Sequence, residues 1–228
     1  MAAAGARSFF WETFPPMPTC RVYCSPAYQD GHLFVVGGCS QVGQPLDTVE
    51  MLDVVSCKWL ALPPLPTPRA GAAVVALGKQ VLVIGGMDSG QRPLAVVEAY
   101  NAEEGKWEQK AALTQPAMGV SAIERGIGAL SPPAPTSRWP RTPPCPSGAW
   151  ITQGSPFPVC LAGNQSSPLG SAEGFSPSRK KWETLPPMPT GRCSSSSLQA
   201  PSLLFVIGGV AVQGPSSAVE ALCLREGL

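Results

Sequence analysis

The sequence predicts an all-β fold made of repeated four-stranded antiparallel sheets, and three observations lead to it. Tryptophan recurs every 48 residues, at Trp11, Trp59 and Trp107. The glycine pair Gly37-Gly38 returns after the same interval, as does the Val-Glu dipeptide that ends at Glu50. Between these landmarks lie apolar runs of four to eight residues bounded by turn formers, which is typical of strands. A fixed period with four strands per copy indicates the blades of a β-propeller.

Residues at the same place in each copy form a structural set. They are a Trp in the fourth strand, a glycine pair that closes the second strand, and a Glu in the third strand. The set consists of Trp11, Gly37, Gly38, Glu50, Trp59, Gly85, Gly86, Glu98, Trp107, Glu173, Trp182, Gly208, Gly209 and Glu220. Glycine lets a crowded backbone turn at little steric cost, and Trp provides a large flat surface that packs between sheets.

The first half of the chain follows this pattern closely. We expect Phe9–Phe14 to be a fourth strand that has no earlier strands of its own sheet. Two complete blades follow, over residues 21–62 and 69–110. A third copy begins with a strand at Ala117–Ile123, but Pro133-Ala134 stands where its glycine pair is due. From Gly126 to about Pro158 the chain is rich in Pro, Ser and Thr and has no strand period, which is typical of loop or disorder.

The repeat then resumes. Glu173 lies nine residues before Trp182, as Glu50 lies before Trp59. The glycine pair expected here is replaced by Cys160-Leu161, so we expect the second strand of this blade to be degraded or absent.

The last copy has three strands and no fourth. They are expected at Ser194–Leu198, Leu203–Ile207 and Ala218–Leu224. Because the N-terminal strand lacks partners and the last copy lacks a strand, we expect the two chain ends to share one blade. The fold class is therefore an incomplete β-propeller of about four blades, one of them disrupted. The expected division of the chain is a tail at 1–8, blades at 9–125, an irregular insert at 126–162 and further blades at 163–228.

The links between blades share the pattern Pro-Pro-x-Pro-x-x-Arg and end at Arg21, Arg69 and Arg192. Together with the glycine pair and the Val-Glu run nine residues before a Trp, these links resemble kelch repeats, whose period is about 50 residues. The resemblance covers residues 1–125 and about 163–228, and it implies a kelch-type propeller that lacks its middle blades, as a splice variant would. The segments "FPPMPTCRVY" and "LPTPRAGAAVVALGKQVLVIGG" closely resemble a family member whose role lies in the cytoplasm and in cell division, at the midbody during cytokinesis.

Composition and charge exclude several classes of function. A net charge of +1 and 14% charged residues argue against nucleic-acid binding, which usually needs a basic face. No apolar run approaches the 18 residues that suggest a membrane-spanning helix. The first residues do not resemble a secretory signal, so we expect the eight cysteines to be reduced thiols in a cytoplasmic protein.

Catalytic chemistry is not indicated either. His32 is the sole histidine, and a zinc site needs about four nitrogen or sulfur ligands, which the Cys20 and Cys24 pair does not supply. We expect a non-enzymatic protein-interaction scaffold with no cofactor and no metal, whose partner is a protein rather than nucleic acid or membrane. One alternative is substrate recognition for a ubiquitin ligase without a BTB domain of its own. Another is an enzyme on a propeller scaffold, which a loss of turnover on changing His32 would reveal.

Partner contacts are expected on the loops between second and third strands, because these loops differ from copy to copy. The loops are Cys39–Asp47, Met87–Ala95 and Val210–Ser217. The recurring arginines could form ion pairs with the recurring Glu of the third strand. Two interpretations remain: structural bonding from blade to blade, which is favoured, or contact with a ligand at the propeller mouth. The candidate partner-binding residues are Arg21, Gln41, Gln44, Asp47, Arg69, Asp88, Gln91, Arg92, Arg192 and Gln213.

Overall fold

The computed structural model describes residues 8–119, 150–151, 159–164, 167–176, 179 and 181–225, and over these ranges the chain forms strands and no helix. The strands of the first half are β1 (Ser8–Phe14), β2 (Ser25–Gln29), β3 (His32–Val36), β4 (Val49–Asp53), β5 (Lys58–Leu62), β6 (Ala73–Leu77), β7 (Gln80–Ile84), β8 (Val97–Asn101) and β9 (Lys106–Gln109). Those of the second half are β10 (Trp150–Ile151), β11 (Val159–Asn164), β12 (Ser167–Ser176), β13 (Lys181–Leu185), β14 (Arg192–Cys193), β15 (Ser196–Gln199), β16 (Leu203–Ile207), β17 (Val210–Ala211), β18 (Gly214–Pro215) and β19 (Val219–Arg225).

Four of the sheets have four antiparallel strands each. The first sheet is β2 to β5, the second is β6 to β9 and the third is β10 to β13, each with neighbouring strands consecutive in the chain. The closing sheet has the spatial order β15, β16, β19 and β1. A small three-stranded sheet consists of β14, which precedes β15 in the chain, and of β17 and β18, which lie between β16 and β19. The predicted fold of incomplete four-stranded blades is confirmed.

The two chain ends meet in the closing sheet, as the strand count predicts. Strand β1 pairs antiparallel with β19, so that Trp11 faces Leu222 and Phe14 faces Val219. The Phe14 side chain is 5% exposed, and its ring centroid lies 5.3 Å from that of Phe205 on β16. The N-terminal strand is thus held by main-chain pairing and by apolar burial together.

The third sheet corrects the sequence-based prediction. A degraded or absent second strand was expected at Cys160-Leu161. Strand β11 is present there and pairs with β12 from Val159 opposite Gly174 to Asn164 opposite Ser167, but the register shifts between Leu161 and Gly163, so the strand is irregular and not absent. Residues Trp150–Ile151 lie inside the stretch expected to be loop or disorder. They form β10, the edge strand of this sheet, which pairs with β11. The reason is that a strand ladder requires only a partner backbone, and β12 supplies one without a glycine pair.

The predicted start of the third copy falls largely outside the described residues. Ala117 forms an isolated bridge to Leu94, in line with a link that leaves the second sheet. The remainder of the expected strand, from Val120 to Ile123, lies beyond the described part of the chain.

Hydrophobic clusters show that the sheets stack in the order third, closing, first and second. Leu185 of the third sheet packs with Leu222 of the closing sheet. Phe205 of the closing sheet shares a cluster with Leu33 and Leu52 of the first sheet. A further cluster joins the first and second sheets through residues including Phe34, Val36, Val81, Val83 and Tyr100. This face-to-face burial supplies most of the driving force that holds neighbouring blades together.

The antiparallel strand order places the connections at two opposite ends of the stack. The turns between first and second strands and between third and fourth strands lie at one end, which we call the turn end. The loops between second and third strands lie at the other, together with the links between sheets. We call this the loop end.

A backbone contact at the loop end fixes each blade to the next. The Gly38 amide donates to the Arg69 carbonyl at 3.0 Å, and Gly37 before it has a φ of 58°. A Cβ at Gly37 would lie 2.3 Å from that same carbonyl oxygen. The contact recurs from the Gly86 amide to the Ala117 carbonyl at 2.8 Å and from the Gly209 amide to the Arg21 carbonyl at 3.2 Å. The glycine pair is therefore needed for close approach between blades as well as for a turn.

The recurring tryptophans make a second contact between blades. The Trp59 indole N–H donates to the Pro15 carbonyl in the preceding link, at 2.9 Å. Trp107 reaches Pro63 at 2.8 Å in the same way, and Trp11 reaches Pro186 at 2.7 Å. Each indole thus packs against a neighbouring sheet and satisfies a link carbonyl at once.

We predict that Phe14→Ala destabilises the protein by about 3–5 kcal/mol, because it removes a buried ring and leaves a cavity beside Phe205. Phe10→Ala on the same strand is the control, since Phe10 is 39% exposed and its loss should cost about 1 kcal/mol or less. Urea unfolding followed by tryptophan fluorescence measures both values. Equal losses for the two variants would contradict the burial of β1 in the closing sheet.

We predict that Gly37→Ala costs about 3–5 kcal/mol, because the left-handed backbone and the collision with the Arg69 carbonyl both oppose a Cβ. Gly78→Ala is a matched control: its φ is 59°, and nothing lies within 4 Å of the added Cβ. That variant should lose only about 1 kcal/mol, from the backbone term alone. If thermal or urea unfolding gave the same loss for both, the close approach between blades would be refuted.

Candidate interaction surface

The three recurring arginines are buried at the loop end. Arg21 is 0% exposed, and Arg69 and Arg192 are each 1% exposed. The Arg21 guanidinium lies 2.7 Å from the Glu50 carboxylate, and that of Arg192 lies 2.8 Å from Glu220. Arg69 forms the equivalent ion pair with Glu98. The predicted Arg–Glu pairing is confirmed in these three copies.

Each arginine also donates hydrogen bonds to backbone carbonyls of its own sheet. Arg69 Nη1 donates to the carbonyls of Gly85 and Val96, each at 3.0 Å, and its Nε donates to Thr67 at 3.1 Å. The Thr67 hydroxyl donates to the Glu98 carboxylate at 2.9 Å. The guanidinium thus ties the link, the end of the second strand and the start of the third strand into one unit.

The electrostatics of this site follow from burial. Burial lowers the pKa of the Arg69 guanidinium, and the Glu98 charge opposes that shift. The pKa of Arg192 is lowered for the same reason, with Glu220 opposing. An arginine guanidinium is charged in proteins, and a buried charge of this kind requires the carboxylate beside it.

The two interpretations of the arginines are thereby separated. As candidate partner contacts, Arg21, Arg69 and Arg192 are misplaced, because side chains with about 1% exposure offer no surface to a partner. They lie under the loop end and support it. Each ion pair lies within one blade, so the expectation that these side chains bond from blade to blade is wrong. The carbonyls of Arg21 and Arg69 do accept from a glycine amide of the sheet before.

The remaining candidates lie on exposed loop tips. In the first sheet the tip is closed by Ser40, whose amide donates to the Gln44 carbonyl at 2.9 Å. Gln41, Gln44 and Asp47 are exposed there. In the small sheet, Ala211 pairs with Gly214, and Gln213 is exposed at the tip between them. These four residues remain predicted partner contacts.

The loop of the second sheet is organised by Asp88. Its carboxylate accepts from the amides of Gly90 and Arg92, at 2.8 and 2.9 Å, and from Arg92 Nε at 2.9 Å. The amide and guanidinium of Arg92 hold the pKa of Asp88 below its ordinary value. Gln91 stands at the turn with a φ of 60°. Asp88 therefore shapes the loop, whereas Gln91 and Arg92 are exposed and available.

The bases of the three loops lie together. Cys39, Met87 and Val210 open the three loops, and all three belong to one apolar cluster with Val22 and Ala70. Each of them bridges the link that precedes its sheet: Val22 pairs with Cys39, Ala70 with Met87, and Cys193 with Val210. The structure thus brings the predicted loops to one shared surface, which we call the loop surface.

One residue of this surface was missed by sequence reasoning. Tyr23 has a φ of 53° and a side chain that is 46% exposed. The same position is Gly71 in the second sheet and Gly119 in the next link, with φ values of 60° and 63°, and Ser194 in the closing sheet, with a φ of 51°. The 48-residue comparison aligns the first three of these positions, so a bulky residue in a glycine position is the signal that could have identified it.

Groups with catalytic or metal-binding potential are sparse in the described ranges. No cluster of three His, Cys, Asp or Glu side chains that could hold a metal ion is present among the described residues. Among the described residues, the cysteines at positions 20, 24, 39, 57, 193 and 223 are free thiols. Burial raises the pKa of the Cys223 thiol to about 11, with Glu12 adding to the shift, so this thiol is protonated and unreactive near neutral pH. The structure contains, over the residues described, no helix long and apolar enough to cross a membrane.

We predict that Arg69→Met lowers the free energy of unfolding by about 3–5 kcal/mol, because it leaves the Glu98 charge buried without its partner. The double variant Arg69→Met with Glu98→Leu should recover a large part of that loss. Lys79→Met serves as the surface control, since Lys79 and its partner Glu103 are 71% and 62% exposed and such pairs contribute about 1 kcal/mol or less. Denaturant unfolding of the wild type and the three variants measures how much stability the double variant recovers. No recovery would contradict the buried pair.

The sequence matches the family described as "Kelch motif" over residues 20–66 and 68–114. It is similar to Kelch domain-containing protein 8B of Homo sapiens, with 44% identity over 355 aligned positions that cover the whole of both chains. The protein of the same name from Mus musculus is 45% identical over the same span. That from Pongo abelii is 71% identical over 66 residues, which is 29% of this chain and 18% of the relative. An end-to-end alignment of 355 positions with a 228-residue chain contains positions that this chain lacks.

Proposed function

The chain belongs to the kelch-repeat family, and on that premise we propose that its loop surface is the site at which it binds partner proteins. Kelch repeats generally bind proteins, and kelch-domain relatives are typically non-enzymatic scaffolds. The observation that carries the proposal is the common position of the three loops, whose bases share one apolar cluster while their tips differ in sequence and are exposed.

The scaffold beneath the loops supports a binding role. Three buried ion pairs and three glycine–carbonyl contacts fix the loop bases to the sheets. A rigid base lowers the entropy that a loop loses when a partner binds, so variable tips on a fixed frame favour recognition. The exposed Gln41, Gln44, Asp47, Gln91, Arg92 and Gln213 are the proposed contacts.

The finer proposal concerns the process in which the partner acts. The resemblance of the blade segments to their relative implies a cytoplasmic role in cell division, at the midbody during cytokinesis. The loop surface would then bind a protein of the intercellular bridge. The alternative, substrate recognition for a ubiquitin ligase without a BTB domain of its own, differs in requiring a cullin among the bound proteins.

The test compares the wild-type chain with two triple variants in dividing cells. The loop variant combines Gln41→Ala, Gln44→Ala and Gln213→Ala, and the control combines Ser56→Ala, Lys79→Ala and Glu104→Ala, which are exposed residues of the turn end. We expect the loop variant to lose enrichment at the intercellular bridge about fivefold or more, because the loss of one dominant contact among the three costs more than about 1 kcal/mol of affinity. The control should match the wild type.

Three outcomes test the loop surface as the binding site, the role in cell division and the ubiquitin-ligase alternative. Equal enrichment of both variants would refute the loop surface as the binding site. No enrichment of the wild type at the bridge would refute the role in cell division. A cullin recovered with the wild type and lost with the loop variant would favour the ubiquitin-ligase alternative.

A further inference from the structure

The loop surface carries four exposed apolar side chains among few exposed charges, whereas the exposed Val55 and Leu77 of the turn end lie among many charged residues. Val42 at the tip of the first loop is 80% exposed, and Val212 at the tip between β17 and β18 is 85% exposed. Tyr23 and Met118, on the links beside the loop bases, are 46% and 49% exposed. Single exposed apolar residues are ordinary, but several on one end of a molecule are typical of an interaction site.

Two of these residues, Tyr23 and Met118, lie along one line of backbone contacts beside the loop bases. Tyr23 follows Val22, which belongs to the cluster at the loop bases. The Gly71 amide donates to the Tyr23 carbonyl at 3.0 Å, and the Gly119 amide donates to the Gly71 carbonyl at 2.9 Å. Met118 therefore stands one residue from a backbone ladder that runs across the starts of successive blades, with Tyr23 at its other end.

Tyr23 occupies this place at a conformational cost. A bulky side chain with a φ of 53° is strained by about 1–2 kcal/mol. The equivalent positions Gly71 and Gly119 avoid this strain with glycine, and Ser194 of the closing sheet bears it with a small side chain at a φ of 51°. The strain is not offset by deep burial, because nearly half of the side chain is exposed. An aromatic ring kept at the surface against its backbone preference indicates a use for the ring itself.

Charge is distributed unequally between the two ends. The turn end carries exposed charged residues on most of its described turns: Asp30, Lys58, Lys79, Glu103, Glu104, Lys106, Arg179 and Lys181. At the loop surface the Arg92 charge is compensated by Asp88 at 2.8 Å, and the three link arginines are buried with their glutamates. Asp47 is the remaining exposed charge on the three loops described. The other polar groups of the tips include the neutral amides of Gln41, Gln44, Gln91 and Gln213.

From these observations we propose that the loop surface binds an uncharged, apolar segment of a partner protein. Val42, Val212, Tyr23 and Met118 provide the apolar contact, and the glutamine amides pair with main-chain groups of the bound segment. This inference rests on the proposed function and adds the chemical class of the partner. A lipid surface fits less well, because attraction to anionic lipids requires a basic cluster that the described loops lack.

The test uses a photoreactive phenylalanine derivative placed in the full chain at position 42 or 212. The control carries it at Val55, which is 90% exposed at the turn end. After illumination in dividing cells, the cross-linked segment is identified by mass spectrometry. We expect capture from positions 42 and 212 and not from 55, of a segment with few charged residues. The yield in lysate should not fall as salt is raised to about 0.5 M, because screening weakens only charge-based contacts.

A second variant separates binding from folding. Tyr23→Gly introduces the residue found at the equivalent positions Gly71 and Gly119, so it relieves the backbone strain and keeps the fold. We expect about tenfold lower cross-link yield, the effect of losing roughly 1.4 kcal/mol of affinity, with no decrease in the melting temperature. Unchanged yield in Tyr23→Gly would overturn the apolar site.

The outcomes also separate this inference from the proposed function. Capture of an acidic or basic segment, with a yield that falls in salt, would overturn the apolar partner while leaving a protein-binding loop surface. Equal capture from positions 42, 212 and 55 would overturn both. Flotation of the purified chain with phosphatidylcholine vesicles, lost in Tyr23→Gly, would replace the protein segment with a lipid surface.

Discussion

The first, second and closing sheets are each joined to a neighbouring link by a glycine amide that donates to a link carbonyl, and in two of these three contacts the residue that carries the carbonyl is a buried arginine, Arg21 or Arg69. Arg69 shows both halves of the arrangement: its carbonyl accepts from Gly38 of the first sheet, while its guanidinium pairs with Glu98 of the second. Buried ion pairs add little net stability compared with apolar packing, but they tolerate few alternative geometries. The apolar clusters therefore drive association of the sheets, and this residue sets the position at which they associate.

This arrangement explains why the loop end can combine fixed and variable parts. The glycine pair, the link arginine and the third-strand glutamate are the same in the first, second and closing sheets, and all of them lie beneath the loops. The tips contain different residues in each copy, and where a loop residue contacts the next link it does so through its backbone, as when the Asp47 carbonyl accepts from the Leu65 amide at 2.7 Å. Substitutions at the tips can therefore alter recognition without disturbing the frame, which is the usual division of labour between scaffold and loop.

Much of the fold could be predicted because its signals are local or periodic. The closing sheet could be inferred because the chain begins with a lone fourth strand and its last copy has only three, and β1 indeed pairs with β19. The third sheet was misjudged because Cys160-Leu161 lacks the glycine pair. That pair serves close approach by a neighbouring carbonyl, whereas β11 needs only the backbone of β12 to form a ladder. The sequence shows that a glycine pair is present or missing, but it does not show whether the pair is needed to form the strand or to let a neighbouring blade approach.

The sequence by itself determined the strands, their repeat and the meeting of the two chain ends, because these depend on alternation and spacing along the chain. Tertiary structure alone decided that Arg21, Arg69 and Arg192 are buried supports and that the loops share one surface. It also showed that a strained Tyr23 is exposed beside them. The physical reason is that burial and electrostatic environment are set by neighbours from other blades and from distant parts of the same blade. From the sequence alone an arginine could face water or a carboxylate, and its environment is known only when those neighbours are in place.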